Sequence, residues 1–461
     1  MRKSLLFFGL LIASGAFAQE DGPYVPPTDT AVQRKIAWWQ DQKFGLLMHW
    51  GTYSQWGIVE SWSLCPEDEG WTQRKGPYAA DYFTYKKAYE HLQKTFNPTS
   101  FDPSRWASAA KAAGMRYVVF TTKHHDGFCM FDTKQTDYSI MNSPYHKDIA
   151  LAVFNAFRAQ NFGIGAYFSK PDWHSDNYWW SYFPPKDRNV NYDPAKYPER
   201  WQKFKDYTYN QIQELMTGYG HMDILWLDGG WVRPSLPSEK KRFNQDIDMD
   251  KIAAMARSHQ PGLIVVDRAV GGPNENYRTP EQQVPTEPLT YPWETCMTMG
   301  DSWSYVPGDH YKPSAQLIHL LVRIVAWGGN FLLNVGPSPL GDWDPVVYER
   351  LRDIGGWMDI NGKAIYGSRM VAPYGKDRVY YTRSADSATT YVFYLSAEGT
   401  DTVSLPATLA LDGFTIPAGA RVTLLGSGAR IPFDHNGLRI PARVQRAYAG
   451  KYAAVFAITK H

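Results

Sequence analysis

Up to about residue 360 the chain alternates between two hydrophobic patterns. In one, apolar residues run almost without interruption for a few positions, the pattern of a strand buried on both faces. Such runs lie within Lys43–Gly51, Met115–Thr122, Ile164–Ser169, His221–Gly230, Gly262–Arg268, Thr295–Met299 and Gly329–Pro337. In the other, apolar residues recur at three- or four-residue spacing and predict helices over Ala31–Gln42, Asp102–Gly114, Asp148–Gln160, Trp201–Tyr219, Ile247–His259, Ala315–Trp327 and Pro345–Ile360. The second of these carries its own punctuation: Asp102 as N-cap, Pro103 at the first helical position and Gly114 as C-cap. Strand-like and helix-like stretches alternating in this way predict an α/β fold with a parallel sheet. With seven strand-like runs, the expectation is a TIM-like (β/α) barrel, regular or irregular, with an open doubly wound sheet as the alternative. Near Tyr366 the pattern changes. Arg378–Thr382, Thr390–Leu395, Thr402–Leu405, Arg421–Leu425 and Ala453–Ile458 are short β-like runs split by Gly, Pro, Asp and Ser, which predicts a C-terminal β-sandwich. The expected division is a leader over 1–18, a catalytic barrel over 24–364 and the sandwich over 365–461.

Several apolar runs end in residues that do not belong in a core. Ile224, Leu225 and Leu227 lead directly into Asp228-Gly229-Gly230. A carboxylate at a strand tip costs little only where it faces a polar cleft. The C-terminal tips of barrel strands are where such clefts form. His49, His124, His125, Tyr167 and Arg268 stand at or just beyond other strand ends, and Glu60, Trp62 and Glu281 lie on loops of the same rim. Each has an ordinary alternative: Asp228 could cap the next segment, a lone His could be structural, and Arg268 could pair with Asp267. His124 and His125 are adjacent, and adjacent strand residues point to opposite sides, which argues against both holding one ion. Donors around a carboxylate, with a second carboxyl group beside it, suit glycoside hydrolysis.

Composition narrows the choice. The chain holds 18 Trp, 30 Tyr and 22 Phe, and aromatic faces suit the C–H patches of sugar rings. A net charge of +2 gives no reason to expect nucleic acid or an anionic membrane as partner. Arg2 and Lys3, the apolar run Leu5–Ile12 and the sequence Ala16-Phe17-Ala18 form a secretory leader pattern. The run is too short to span a membrane, so export, most simply to a bacterial periplasm, is expected without membrane insertion. Cys65, Cys129 and Cys296 allow at most one disulfide. With no CxxC or HExxH spacing, neither a metal nor another cofactor is expected. The loop His174–Trp201 is long and rich in Tyr, Trp and Pro, and long loops in compact domains are usually functional or disordered.

Taken in order, Phe44-Gly45 with His49-Trp50-Gly51, Lys123-His-His-Asp-Gly-Phe128, Leu225-Trp-Leu-Asp-Gly229, Trp293-Glu294 with Ser302-Trp303, and Gly329-Asn-Phe-Leu-Leu-Asn-Val-Gly-Pro337 resemble glycoside hydrolase family 29, the α-L-fucosidases. The resemblance implies an exo-acting enzyme that removes terminal α-L-fucose from oligosaccharides or glycoconjugates with retention of configuration, through a covalent intermediate. It implies Asp228 as nucleophile, at the tip of the fourth strand, and His49, His124, His125, Tyr167, Trp226 and Arg268 as sugar ligands, with Glu60 and Trp62 on a loop that carries two more. Glu281, thirteen residues after Arg268, is the best match to the acid/base, expected to be buried against aromatics; Glu287 and Glu294 compete. Without the resemblance, Thr279-Pro280-Glu281 could equally open a helix. Ser302-Trp-Ser-Tyr305 stands where the family more usually has Ser-Trp-Gly-Tyr, a change on the leaving-group side. The competing functions are a glycosidase for a related sugar, such as a β-galactoside, and a sugar-binding protein with little or no turnover.

Overall fold

The computed structural model describes residues 23–67, 73–236, 243–435 and 437–460, so the leader pattern lies outside the described residues. The seven apolar runs form seven strands: β1 Phe44–Met48, β2 Tyr117–Lys123, β3 Gly163–Ser169, β4 Ile224–Asp228, β5 Ile264–Asp267, β6 Glu294–Thr298 and β7 Asn330–Val335. They make one parallel sheet in the order β5-β4-β3-β2-β1-β7-β6. All but Asp228 are buried along these strands, which is why they read as unbroken apolar runs. Their side chains still alternate. Leu47, Tyr117, Val119, Tyr167, Ile224, Trp226, Ile264, Val266, Cys296 and Leu332 share an inner cluster, which Val32, Ile36 and Trp39 also join. Their neighbours Leu46, Val118, Phe120, Phe168, Leu225, Leu227, Val265 and Phe331 belong to the outer core, with the helices.

The sheet curls but its ends do not meet: β5 and β6 share no ladder. The gap is filled by an extended segment, residues 274–282. Its Glu275 bridges to Val266 of β5, and its Arg278 and Glu281 bridge to Trp293 and Cys296 along β6. Backbone bonds on both sides fix it: Asn276 N to Val265 O at 2.9 Å, Glu294 N to Arg278 O at 2.8 Å, and Gln282 N to Cys296 O at 2.9 Å. The structure is thus an irregular barrel in which a strap stands where a further strand would close the wall. No helix starts at Thr279.

The helices α1 Thr30–Gln42, α3 Pro103–Ala112, α4 Ile149–Ala159, α5 Pro198–Gly218, α6 Met249–His259, α7 Ser314–Ala326 and α8 Pro345–Asn361 lie where the periodicity puts them, with ends shifted by a few residues. Between α1 and α3 is a helix the pattern does not announce, α2 Tyr82–Glu90, which buries only Tyr85 and Tyr89. Asp102 caps α3 through Ser104 N and Arg105 N, both at 3.0 Å.

Beyond residue 368 come β8 Arg369–Lys376, β9 Val379–Arg383, β10 Thr389–Leu395, β11 Thr408–Leu409, β12 Arg421–Leu424, β13 Phe433–Asp434, β14 Gly437–Arg439 and β15 Ala453–Thr459. They form an antiparallel sheet β12-β15-β10-β9-β8 and a small sheet β11-β14-β13. Thr402–Leu405 is not a strand; Thr402 makes only an isolated bridge to Lys451. Trp357 of α8 donates to Ala453 O at 2.9 Å, tying the barrel to this unit. The three cysteines are free and buried, so the single disulfide that the count permitted does not form.

Candidate active site

A cavity of about 450 Å³ opens at the C-terminal rim of the sheet. The ten residues assigned to the site from the sequence all line it: His49, Glu60, Trp62, His124, His125, Tyr167, Trp226, Asp228, Arg268 and Glu281. A larger cavity of about 880 Å³ lies between α8 and the C-terminal sheet, but its lining has a single carboxylate, Asp353. That carboxylate accepts from Ser314 Oγ at 2.6 Å.

Asp228 ends β4, where the chain turns sharply through Gly229 at φ 86°. A Cβ at Gly229 would come within 2.3 Å of Pro171, so the turn requires glycine twice over. The carboxylate is held on both oxygens. Gly229 N donates to Oδ1 at 2.8 Å and Arg268 Nη1 to Oδ1 at 3.1 Å, while the Tyr167 hydroxyl donates to Oδ2 at 2.7 Å. His125 Nε2 lies 3.8 Å from Oδ2. Burial alone would raise the pKa; the Arg268 charge, His125 and the Tyr167 hydrogen bond outweigh it and hold the carboxyl well below the usual range. Asp228 is therefore an oriented carboxylate at any physiological pH.

Three histidines stand beside it. His49 Nδ1 donates to Asn334 Oδ1 at 2.8 Å, and Asn334 is itself oriented by donating to Trp303 O at 2.6 Å. That leaves His49 Nε2 as an acceptor. His124 Nδ1 pairs with Ser61 Oγ, and His125 Nδ1 is buried without a hydrogen-bond partner. Burial pushes His49 and His125 down to about 4 and His124 well below its usual value, so all three are neutral at pH 7. Contrary to the strand-alternation argument, His124 and His125 share one side, with ring centroids 4.2 Å apart. The reason is that β2 ends at Lys123, so both lie in the following turn. Ligand atoms of His124, His125 and Asp228 fall within 4.8 Å of one another. A cation there would sit against the Arg268 guanidinium, so this donor set fits sugar hydroxyls better than a metal ion.

Glu60 is buried, with Ser304 N donating to its Oε1 at 2.9 Å. Burial first, and then the charges of Glu281 and Asp228, push its carboxyl up to about 8 despite that hydrogen bond. At pH 7 it is mainly neutral and can donate as well as accept a hydrogen bond.

Arg268 does not pair with Asp267, whose partner is Lys170 at 2.5 Å. Instead its guanidinium spans the two carboxylates of the cavity, with Nη1 on Asp228 and Nη2 on Glu281, and its Nε donates to Thr279 Oγ1 at 3.1 Å. It lies over Trp226, 5.2 Å from the ring centroid, and Trp226 stacks on Tyr167 at 5.2 Å. Glu281 is not buried against aromatics: its side chain is 42% exposed, on the strap that closes the barrel. Its two competitors stand elsewhere. Glu287 is exposed and does not line the cavity. Glu294 is fully buried inside the barrel, accepting from Tyr117, from Tyr277 at 3.2 Å and from Trp226 at 3.4 Å.

Leu47, Arg188, Trp231, Arg233, Cys296 and Trp303 also line the cavity and were not singled out as its residues. Trp303 lies in the Ser302–Tyr305 motif, and its ring centroid is 5.2 Å from that of His49. Arg188 comes from the long aromatic loop, its guanidinium 5.0 Å from the Trp62 centroid and 5.4 Å from that of Trp231. An isolated Arg in a loop gives no sequence signal of where it points.

A family model described as alpha-L-fucosidase matches residues 11–363. The tissue alpha-L-fucosidase of Rattus norvegicus is 28% identical over 83% of this chain and 82% of its own length. Among solved structures, alpha-L-fucosidase isoenzyme 1 from Paenibacillus thiaminolyticus superposes with a TM-score of 0.73 at 28% identity, covering 93% of this chain and 99% of its own. The Thermotoga maritima alpha-fucosidase in complex with a mechanism-based inhibitor gives a TM-score of 0.70 at 25% identity, covering 95% of this chain and 100% of its own.

Proposed function

Because the chain belongs to the α-L-fucosidase family, we propose that it is a secreted, exo-acting glycoside hydrolase that releases terminal α-L-fucose from oligosaccharides or glycoconjugates with retention. The observation that carries this reading is the single guanidinium of Arg268 set between Asp228 and Glu281 in the rim cavity. One head group touching both keeps the carboxyl groups close, as the roughly 5–5.5 Å spacing of retaining enzymes demands. Asp228, already ionised, attacks the anomeric carbon as the bond to the leaving oxygen breaks. Glu281 delivers the proton that oxygen takes up, and its exposure leaves it open to exchange protons with solvent. Water then gives a proton to Glu281 and displaces the sugar from Asp228, so two inversions restore the configuration.

Binding follows from protonation. Neutral His49, His124 and His125 and neutral Glu60 supply hydroxyl partners without adding charge beside Asp228. The mechanism-based inhibitor bound by the Thermotoga relative supports the covalent route. Arg2, Lys3, Leu5–Ile12 and Ala16-Phe17-Ala18 support export to the periplasm, and among the described residues no helix is long and apolar enough to cross a membrane.

Release of nitrophenol from the aryl α-L-fucoside by wild type and Asp228→Ala tests the reading. Turnover that falls by about a thousandfold or more in the mutant is the expected outcome. Comparable rates would remove Asp228 from the mechanism. A folded wild type that binds fucose without turnover would favour the sugar-binding alternative, and cleavage of the aryl β-galactoside alone would favour the related glycosidase.

A further inference from the structure

We propose that the turn from Trp180 to Phe183, on the long loop beside the active-site cavity, is an outer glycan-binding platform that stacks a neutral sugar of the leaving-group arm on Tyr182. This rests on the reading of the cavity as an α-L-fucosidase site. Tyr182 is 73% exposed, the highest value among the exposed large apolar residues described. Its exposure is built and not a consequence of a loose loop. Asn191 clamps the turn, accepting from Trp180 N at 2.8 Å and donating to Trp180 O at 2.9 Å and Phe183 O at 2.6 Å. Asp176 accepts from Ser181 N at 2.8 Å, and Arg200 in turn holds Asp176 at 2.7 Å.

The ring itself is braced from behind. Its centroid lies 5.4 Å from that of Trp180, tilted by 34°, and Phe183 meets it edge-on at 4.9 Å. Trp180 is fixed by Arg200 over its ring at 4.1 Å and by Tyr197 edge-on at 5.1 Å. What remains is a largely exposed aromatic with two side-chain torsions, an arrangement that presents contact area at little entropic cost.

The platform and the cavity share one loop, which supplies Arg188 to the cavity lining and is tied to it from beneath by buried tryptophans. Trp62, which lines the cavity, packs on Trp173 at 5.4 Å, and Trp173 stacks on Trp179 at 5.0 Å and 5°. Trp179 precedes Trp180 in the chain. The steps, joined by the one backbone link from Trp179 to Trp180, place Tyr182 within roughly 30 Å of Trp62, within reach of a long oligosaccharide. The same loop is anchored at its other end, where the Arg188 carbonyl accepts from Trp173, Tyr178 and Trp231. A pyranose offers one apolar C–H face to such a ring, and a fucosylated glycan extends away from the cavity on its leaving-group side. A neutral arm is favoured because the platform ring itself is uncharged and the nearby Arg200 is already paired with Asp176.

The test compares Tyr182→Ala with wild type on three substrates: the aryl α-L-fucoside, a fucosylated disaccharide and a long fucosylated oligosaccharide. Removing the ring should raise KM for the long oligosaccharide by about three- to tenfold, leaving kcat and both short substrates unchanged. Tyr182→Phe should behave as wild type. An unchanged KM for the long substrate overturns the proposal, as does an equal loss on all three. A wild-type dimer that Tyr182→Ala dissociates in sedimentation would show that a second copy covers the ring, and would also overturn it. If wild type cleaves no fucoside, the hydrolase reading fails by itself. Calorimetric binding of the long oligosaccharide to wild type and Tyr182→Ala then decides the platform separately, equal affinities refuting it.

Discussion

The cavity has two walls built on different principles. One is made of the tips of β1 to β4 and the turns just beyond them, carrying His49, His124, His125, Tyr167 and Asp228. Their positions follow from ladder register: Ser169 of β3 lies opposite Asp228, and Tyr167 opposite Trp226. These side chains are buried or nearly so, and their protonation is set by burial and by fixed partners. The other wall is the strap of residues 274–282, tied into the gap between β5 and β6 by single bridges. It carries Glu281, which is exposed and, among the described residues, held through its side chain by Arg268. The proposed nucleophile thus sits where the sheet is most regular and the proposed proton donor where it is least so. A nucleophile needs one orientation and one charge state. An acid/base must exchange protons with leaving groups and water, and the open wall gives it access to both.

The largest expected effect breaks this comparison on the strap side. Glu281→Ala should lower kcat/KM by about 10²–10⁴ for fucosides with alkyl leaving groups, and far less for the nitrophenyl fucoside, whose leaving group needs little protonation. Glu287→Ala should leave both substrates unchanged. Equal losses on both substrates for Glu281→Ala, or a large loss for Glu287→Ala, would move the acid/base elsewhere. On the strand-tip side, Tyr167→Phe deletes the hydrogen bond to Asp228 Oδ2 and should cost about 10–100-fold in kcat. A change confined to KM would mean that Tyr167 only packs against the sugar.

The smallest effect concerns Glu60. Its carboxyl is raised from 4.5 to about 8 in the fold, so folding takes up a proton between those values. The stability this contributes is fully present below about 4.5 and is lost as pH rises through about 8. Glu60→Gln keeps the acceptor for Ser304 N and has nothing to titrate. Between pH 5 and 9 the wild-type Tm should therefore fall relative to the variant by about a few degrees. Parallel Tm curves would show that Glu60 is ionised in the fold.

The same contrast explains what the sequence disclosed. Strands buried on both faces must be continuously apolar, so β1 to β7 stood out, and a charged residue at such a tip was conspicuous in Asp228. The helices followed from their caps and spacing, except α2, which buries too little to impose a period. The strap was not legible, because single bridges leave no alternation, and Thr279-Pro280-Glu281 resembled a helix start just as well. Glu294 showed the converse. Beside Trp293 it reads as much structural as catalytic, and its contacts with Tyr117, Tyr277 and Trp226 place it inside the barrel. Spacing along the chain also failed for His124 and His125, because the alternation rule ended with β2 one residue earlier. Arg188, Trp231 and Arg233 reached the cavity from loops whose course no local pattern dictates.

The account rests on Asp228 forming a bond to the sugar. Incubating the enzyme with a fluorinated fucosyl fluoride, which forms the intermediate faster than it is hydrolysed, and mapping the adduct by peptide mass spectrometry tests this directly. The account predicts one added sugar per chain, on the peptide that contains Asp228. An adduct on Glu60 or Glu281, or none at all in an enzyme that turns over the aryl fucoside, would contradict it.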